Sequence, residues 1–280
     1  MLLLKVLRVK HYIKNFLVFI PLFFSGEILN DSKLMSVLFG FISFCLISSA
    51  VYILNDIRDV EQDRLHIKKR NRPIASGRVS IKKAMILAIC CTSVAVYINC
   101  NYSNTTAIWI IIGYFCINVL YSLGLKNIPL IDVAILSSGF LMRVIYGAVI
   151  SNIYLSDWLY LSIVTGSFFM GLGKRRNELI KIKQGVDTRK VLRYYTHSFL
   201  DKNMYVCVAL TDAFYSMWAI NHPSHNLVYT VPIFILMLMK YSLVIEGDSD
   251  GDPVDVITSD YSLFALGILY VFTLIVILYC

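Results

Sequence analysis

The chain has 280 residues, of which 58% are hydrophobic and 16% charged, and its mean hydropathy is +0.68. Soluble domains rarely reach such values, so the composition predicts an integral membrane protein and excludes an ordinary soluble enzyme. The formal net charge of +8 does not indicate a nucleic-acid-binding protein, because the basic residues are concentrated in loops between apolar segments. We therefore expect no nucleic-acid partner.

Nine apolar segments follow one another along the chain, and several are close to the roughly 20 residues that a membrane-spanning helix needs. They cover residues 15–30, 34–54, 84–101, 105–123, 129–150, 157–173, 203–221, 227–245 and 261–279. The first is the least regular, because Pro21 and Gly26 interrupt it. The pattern predicts an all-α, polytopic membrane protein with a single domain over residues 1–280.

The basic residues are distributed unequally between alternate loops. All but three of the 26 Lys and Arg residues lie in the N-terminus or in loops 55–83, 124–128 and 174–202. The exceptions are Lys33, Arg143 and Lys240. By the positive-inside rule, this asymmetry predicts a multi-pass protein of the cell (inner) membrane with a cytoplasmic N-terminus and a C-terminus outside.

The loop after the second apolar segment begins with acidic residues. If the preceding helix continues into this loop, Asp56, Asp59 and Asp63 lie at i, i+3 and i+7 and share one face. Three carboxylates at a membrane surface repel one another unless a cation lies among them. Mg²⁺ takes oxygen ligands and commonly bridges carboxylates to phosphate oxygens. The three acids therefore predict a Mg²⁺–diphosphate site at the cytoplasmic membrane surface.

A dense basic run follows these acids in the same loop. Its members are Lys68, Lys69, Arg70, Arg72 and Arg78. Membrane topology or attraction to anionic lipid headgroups would by itself produce such a run. Its position beside an acidic metal cluster favours a phosphate-binding role for Arg70 and Arg72.

Arg143 lies about eleven residues into the fifth apolar segment, where a charge is costly unless it is paired or lines a cavity. Eleven residues are close to three helical turns, so Arg143 shares a face with Asp132. Helical side chains lean toward the N-terminal end of their helix, which here is the cytoplasmic end. We therefore expect Arg143 to enter a polar cavity that opens toward the acidic cluster.

Charged residues also mark the ends of three other apolar segments. Lys126 and Asp132 flank the turn between the fourth and fifth segments, at the same predicted membrane surface as the acidic cluster. Lys174, Arg175 and Glu178 follow the sixth segment, where they form either a plain cytoplasmic anchor or a second arm for phosphate or metal.

Two ionisable residues lie inside later apolar segments. Asp212 in the seventh and Lys240 in the eighth are expected to pair with one another, in a structural or a functional role. Together with Arg143 they are also compatible with the charge path of a transporter, although we see neither clear inverted repeats nor clearly interrupted helices.

The run Asn-Asp-x-x-Asp-x-x-x-Asp at 55–63 resembles the UbiA superfamily of intramembrane prenyltransferases. Lys-Arg-x-Arg-Pro-Ile at 69–74 and Gly-Lys-Arg-x-x-Glu-Leu at 173–179 are more similar to one branch, the decaprenyl-phosphate phosphoribosyltransferases. Further segments that carry the resemblance are 14–15, 121–126 with Asp132, 195–196 and 251–255. The resemblance implies nine transmembrane helices around a central cavity.

The resemblance also implies an activity. It implies Mg²⁺-dependent transfer of 5-phosphoribose from phosphoribosyl pyrophosphate to a polyprenyl phosphate, with release of pyrophosphate at the cytoplasmic face. The acceptor phosphate is already an anion, so no strong general base is needed. The catalytic residues would be Asp56, Asp59 and Asp63, which hold Mg²⁺, with Lys126 and Asp132. The substrate-binding residues would be Lys14, Asn55, Arg58, Arg70, Arg72, Tyr121, Arg143, Lys174, Arg175 and Glu178.

Two alternatives to this activity stay open from the sequence. The first is a prenyltransferase of the same fold that moves a prenyl group from an allylic diphosphate to an aromatic or lipid acceptor. The second is the transporter described above. An oligomer is compatible with the sequence.

Overall fold

A computed structural model describes residues 2–65, 69–183, 190–247, 249 and 251–280 of the chain. All regular elements in these ranges are helices. Lys68 of the predicted basic run lies outside the described residues. The all-α prediction is therefore confirmed for the part of the chain that the structure describes.

Twelve α-helices follow one another along the described chain. They are α1 (Leu2–Val6), α2 (Ile20–Phe24), α3 (Asp31–Arg58), α4 (Val60–Leu65), α5 (Ile81–Tyr102), α6 (Thr105–Leu123), α7 (Ile131–Ser151), α8 (Asp157–Lys183), α9 (His197–Asn221), α10 (Val231–Glu246), α11 (Pro253–Ser259) and α12 (Tyr261–Tyr279). Short 3-10 helices lie at Val9–Phe19, Lys69–Asn71, Leu125–Asn127, Lys190–Tyr194 and His225–Thr230.

Polar side chains fix the positions at which the long helices begin. Asn104 accepts a hydrogen bond from the backbone N–H of Ala107 at 2.9 Å, and Thr196 accepts one from Phe199 at 3.1 Å. Asn30, Ser80 and Asp260 cap α3, α5 and α12 in the same way. Each capping oxygen satisfies a backbone donor that has no partner within its own helix.

Six helical stretches are long and apolar enough to cross a membrane. They are α3, α5, α6, α7, the stretch His225–Glu246 and α12. Two more long helices, α8 and α9, coincide with the predicted segments 157–173 and 203–221 but are not among the six. The described chain is thus a multi-pass helical membrane protein, and the expected number of nine spanning helices stays a prediction.

The first predicted apolar segment, 15–30, does not form one continuous helix. The 3-10 helix Val9–Phe19 is followed by the five-residue helix α2. Pro21 lies in the first turn of α2, where its missing N–H leaves no hydrogen bond unmade. The proline therefore starts a new short helix instead of extending the preceding one.

The residues up to Leu125, together with Met142–Ile153, form one compact unit, which we call unit 1. Within it, α3 packs against α5, α6 and the 3-10 helix Val9–Phe19. The fully buried rings of Phe44 and Tyr146 lie in its main core, with their centroids 5.4 Å apart. This packing holds helix α3, whose C-terminal end carries Asp56, the first of the three predicted acids.

Residues Lys126–Leu141 and Tyr154–Cys280 form a second compact unit, unit 2. Its largest helix pair is α8 with α9. Its core contains the buried side chains of Phe169, Leu200 and Ile245. The expectation of a single domain over the whole chain stays a prediction.

A glycine allows close helix packing in unit 1. A Cβ added to Gly147 of α7 would lie 2.0 Å from the backbone oxygen of Val18. Backbone atoms cannot move aside cheaply, so we expect Gly147→Ala to lower the free energy of unfolding by about 2 kcal/mol or more. The measurement is thermal unfolding of the purified protein in detergent.

The control for this substitution is Gly267→Ala in α12. Among the described residues, no heavy atom lies within 4 Å of a Cβ added there. Alanine is the better helix former, so this variant should be unchanged or more stable by about 1 kcal/mol or less. Equal melting temperatures for the two variants would contradict the close approach of α7 to the Val9–Phe19 segment.

Candidate active site

The predicted acids do not lie on one unbroken helix. Helix α3 ends at Arg58, and Asp59 caps it, its N–H donating to the oxygen of Asn55 at 2.9 Å. Asp63 belongs to the separate short helix α4. The condition for one shared helical face, a continuous helix through all three acids, is therefore not met, because the chain leaves the helical conformation at Asp59.

Two of the three acids nevertheless converge on one side chain. Asp56 is 5% exposed and Asp63 is 3% exposed. The Nη1 atom of Arg72 donates to Asp56 Oδ1 at 3.0 Å and to Asp63 Oδ2 at 2.6 Å. Buried carboxylates are costly unless a positive charge compensates them. Arg72 therefore bridges both acids and supplies one of the two positive charges that balance them.

A second arginine contacts the same site from the N-terminus. Arg8 Nη2 donates to Asp56 Oδ1, and its guanidinium lies 5.1 Å from the centre of the Tyr52 ring. In the sequence, Arg8 is recognisable only as part of the N-terminal positive charge. Its 48-residue separation from Asp56 left no local pattern that could have revealed the contact. We define the acid–arginine cluster as Arg8, Asp56, Asp63 and Arg72.

The cluster offers oxygen ligands that suit a hard cation. Both carboxylates contact one nitrogen atom of Arg72, so their oxygens face one cation-sized position. Carboxylate oxygens are the ligands that Mg²⁺ prefers. Among the described residues, no group of three or more His, Cys, Asp or Glu side chains is arranged to hold a metal. The assignment of Mg²⁺ to Asp56, Asp59 and Asp63 thus fits two of the acids and stays a prediction.

Asn55 and Arg58, also predicted to bind substrate, lie at this helix end. Asn55 accepts a hydrogen bond from Ser122 Oγ at 2.9 Å. Arg58 is exposed and donates to the backbone oxygen of Leu123 at 3.2 Å. Arg70 is exposed, whereas Lys14, Asp59 and Tyr121 are half-buried. Their predicted roles stay predictions.

Arg143 is buried, with 4% of its surface exposed. Its Nε donates to Asn15 Oδ1 at 2.8 Å, and its Nη2 donates to the hydroxyl of Tyr114 at 3.1 Å. The guanidinium lies 5.0 Å from the centre of the Phe44 ring, a cation–π distance. Asn15, which the sequence analysis named only within the segment 14–15, is therefore one of the residues that hold Arg143. The predicted polar cavity stays a prediction.

In unit 2, two predicted site residues form a buried ion pair. Arg175 and Asp132 are both 0% exposed, and Arg175 Nε lies 2.6 Å from Asp132 Oδ2. Arg175 also contacts Glu178 Oε2 at 2.5 Å. The guanidinium is thus enclosed by two carboxylates and fixes the start of α7 to α8. In this structure Arg175 forms ion pairs with Asp132 and Glu178, and its phosphate-binding role stays a prediction.

Tyr195 completes this buried group, which we call the Asp132 network. Its hydroxyl donates to Asp132 Oδ1 at 2.5 Å and accepts the N–H of Leu130 at 2.7 Å. Burial, followed by the hydrogen bond to Asp132, raises the pKa of Tyr195 to about 12. The phenol therefore stays protonated and holds the turn before α7, a role that the sequence alone did not assign.

Lys174 is held by a loop that follows α10. Its Nζ lies 3.2 Å from Asp252 Oδ2. Gly251 has a φ of 69°, and a Cβ there would lie 3.1 Å from the Cα of Lys174. Only glycine combines this conformation with so close an approach. Lys126 is half-buried in the 3-10 helix Leu125–Asn127.

The predicted pair of Asp212 with Lys240 was wrong. Lys240 Nζ contacts Asp260 Oδ2 at 3.0 Å. The N–H of Leu263, together with Lys240, lowers the pKa of Asp260 below its usual range. Asp260 is the N-cap of α12, which packs against α10, and so lies where Lys240 can reach it. In the described chain, Asp212 Oδ1 is buried without a hydrogen-bond partner.

The fold and the cluster together define a class. The chain is a multi-pass helical membrane protein in which two buried acids and two partly exposed arginines lie beside the end of a spanning helix. The UbiA prenyltransferase family matches residues 16–256, and the chain belongs to this family. It is therefore a membrane transferase with the UbiA-like fold.

Individual relatives agree with this assignment. The decaprenyl-phosphate phosphoribosyltransferase of Corynebacterium glutamicum is 32% identical, over 99% of this chain and 86% of its own length. That of Mycolicibacterium smegmatis is 32% identical, over 97% and 91%. The solved structure of a UbiA homologue from Archaeoglobus fulgidus bound to GPP and Mg²⁺ matches with a TM-score of 0.74, at 16% identity and over 100% of both chains. This last likeness shows the shared fold.

The Asp132 network yields a stability prediction. Asp132→Ala leaves the fully buried Arg175 with one carboxylate fewer and the hydroxyl of Tyr195 without its acceptor. We expect the free energy of unfolding to fall by about 3–5 kcal/mol, the usual loss when one partner of a buried ion pair is removed. Denaturant or thermal unfolding in detergent measures this loss.

Asp157→Ala serves as the matched control. Asp157 is exposed in the first turn of α8, so its loss should cost about 1 kcal/mol or less. Equal destabilisation by the two substitutions would show that the Asp132 network does not hold α7 to α8.

Proposed function

We propose that the protein transfers 5-phosphoribose from phosphoribosyl pyrophosphate to the phosphate of a polyprenyl phosphate. Pyrophosphate is released, Mg²⁺ is required, and the reaction takes place at the cytoplasmic membrane face. The proposal rests mainly on the acid–arginine cluster, which combines two carboxylates for a metal with two guanidiniums for phosphate oxygens. The names of the two bacterial relatives support the same transferred group, phosphoribosyl, and the same kind of acceptor, a polyprenyl phosphate.

The residues of the cluster suit the leaving group of this reaction. Bound Mg²⁺ would neutralise charge on pyrophosphate as a Lewis acid. Asp56 and Asp63 supply the oxygen ligands, and Asp59 is proposed as a third. Arg72, with Arg70 two residues before it, would bind the phosphate oxygens of the donor by charge-assisted hydrogen bonds. Such preorganised charges stabilise the anion that develops as the bond breaks.

The bond changes balance without a further reactant. A phosphate oxygen of the lipid forms a bond to C1 of the ribose, and the bond from C1 to the pyrophosphate oxygen breaks. Pyrophosphate leaves with the bonding electron pair. The attacking oxygen is already anionic, so no side chain has to remove a proton. What the protein supplies is orientation and charge compensation.

The activity test uses purified protein in lipid nanodiscs. The protein is incubated with Mg²⁺, phosphoribosyl pyrophosphate labelled in the ribose, and decaprenyl phosphate. We expect label in the lipid fraction. A parallel reaction contains labelled geranylgeranyl diphosphate and an aromatic acceptor. Prenylated product in the second reaction, with no labelled lipid in the first, would overturn the proposal in favour of a prenyl donor.

The role of the cluster is tested by Asp56→Asn. Loss of one carboxylate from the cation position should lower kcat/KM for phosphoribosyl pyrophosphate by about 100-fold or more, because several kcal/mol of transition-state stabilisation depend on the metal. The rate of labelled-lipid formation measures the effect.

Asp31→Asn is the control, since Asp31 is an exposed acid in the first turn of the same helix. It should retain the wild-type rate. Retention of full Mg²⁺-dependent activity by Asp56→Asn would show that Asp56 does not hold the metal.

A further inference from the structure

Arg8 has an unusual backbone for an arginine. Its φ and ψ are 53° and 47°, in the left-handed region, and it immediately precedes the 3-10 helix Val9–Phe19. Residues other than glycine, asparagine and aspartate rarely adopt this backbone conformation, because it costs them on the order of 1 kcal/mol. Residues held in such a conformation cluster at functional sites. If Arg8 served only to set the membrane topology, its positive charge would be enough and this backbone conformation would not be needed.

The side chain of Arg8 is also held in place. It is 17% exposed, it contacts the buried Asp56, and it lies over the ring of Tyr52. Asp56 Oδ1 accepts from both Arg8 and Arg72. The two arginines thus converge on one carboxylate oxygen, and these contacts use one nitrogen atom of each guanidinium, a group that carries five N–H donors.

We propose that Arg8 is a phosphate-binding residue of the donor site, which extends the proposed function and rests on it. In the ligand-free protein its guanidinium is paired with Asp56. When a metal–diphosphate enters, Asp56 pairs with the metal and the guanidinium of Arg8 pairs with a phosphate oxygen. Arg72 makes the same exchange from Asp56 and Asp63.

Charge balance favours this exchange. The ligand-free cluster contains two carboxylates and two guanidiniums, so its formal charge is zero. A cation that joins the acids would leave both guanidiniums without a counterion, and an anionic diphosphate restores the balance. Metal and diphosphate should therefore bind together more tightly than either alone. The arginines also remain paired throughout, which avoids the cost of an uncompensated buried charge.

The test measures binding without turnover. Arg8→Gln removes the charge, Arg8→Lys keeps the charge but loses the fork, and Lys10→Gln removes a neighbouring exposed charge with the same effect on the N-terminal charge count. Dissociation constants of phosphoribosyl pyrophosphate and of inorganic pyrophosphate are measured with Mg²⁺ by isothermal titration calorimetry, with no lipid acceptor present. Melting temperatures are recorded without ligand.

We expect Arg8→Gln to weaken both ligands by about 10- to 100-fold, the range for loss of one charged hydrogen bond. Arg8→Lys should recover part of this loss, and Lys10→Gln should bind like the wild type. Pyrophosphate binding by Arg8→Gln equal to that of the wild type would overturn the role of Arg8, whatever happens to the melting temperature. If Arg8→Gln does not fold, the same comparison is made with Arg8→Lys.

The two ligands separate this inference from the proposed function. If the wild type binds pyrophosphate but not phosphoribosyl pyrophosphate, the proposed donor is wrong, and the effect of Arg8→Gln on pyrophosphate still decides the role of Arg8. If the wild type binds both and Arg8→Gln weakens neither, the proposed donor stands and the inference about Arg8 fails.

Discussion

Two buried carboxylates, Asp56 at the end of the membrane-spanning helix α3 and Asp63 in the short helix α4, share one nitrogen atom of Arg72. Removing the partner of a buried charge typically costs about 3–5 kcal/mol. Asp56 and Asp63 therefore need positively charged side chains beside them in the folded protein. The short helix α4 places Asp63, the turn after the 3-10 helix Lys69–Asn71 places Arg72, and the N-terminal segment places Arg8. These three segments thus bring the two acids and their two arginine partners together.

Each buried charge needs compensation, but the side chains that supply it differ between the two units. Arg143 is held by the amide of Asn15, the phenol of Tyr114 and the ring of Phe44, and Arg175 is held by two carboxylates. Arg72, by contrast, keeps a partly exposed side chain and bridges two acids that a metal can also bind. Because solvent reaches the guanidinium of Arg72, a metal ion can replace it between the two acids. Arg175 is fully buried and cannot be replaced in this way. The acid–arginine cluster is therefore the part of the described chain best suited to exchange ions with a ligand.

Much of the fold was predictable from hydropathy, because a helix in lipid must be apolar along its length and satisfy its own backbone. The acidic motif likewise pointed to Asp56 and Asp63. The predictions failed where the outcome depends on tertiary contacts. Lys240 forms an ion pair with Asp260 instead of Asp212, and Arg8 contacts Asp56, which is 48 residues away in the sequence. Such pairings are decided by helix packing, which no local spacing encodes, and the break at Asp59 has no proline or glycine to mark it.

The most direct measurement is a cryo-EM structure of the wild-type protein in nanodiscs with phosphoribosyl pyrophosphate and Mg²⁺. The account predicts density for the diphosphate against the guanidiniums of Arg8 and Arg72, with a cation between the phosphate oxygens and the carboxylates of Asp56 and Asp63. Density for the diphosphate elsewhere, with the Arg72 bridge between Asp56 and Asp63 intact, would contradict it.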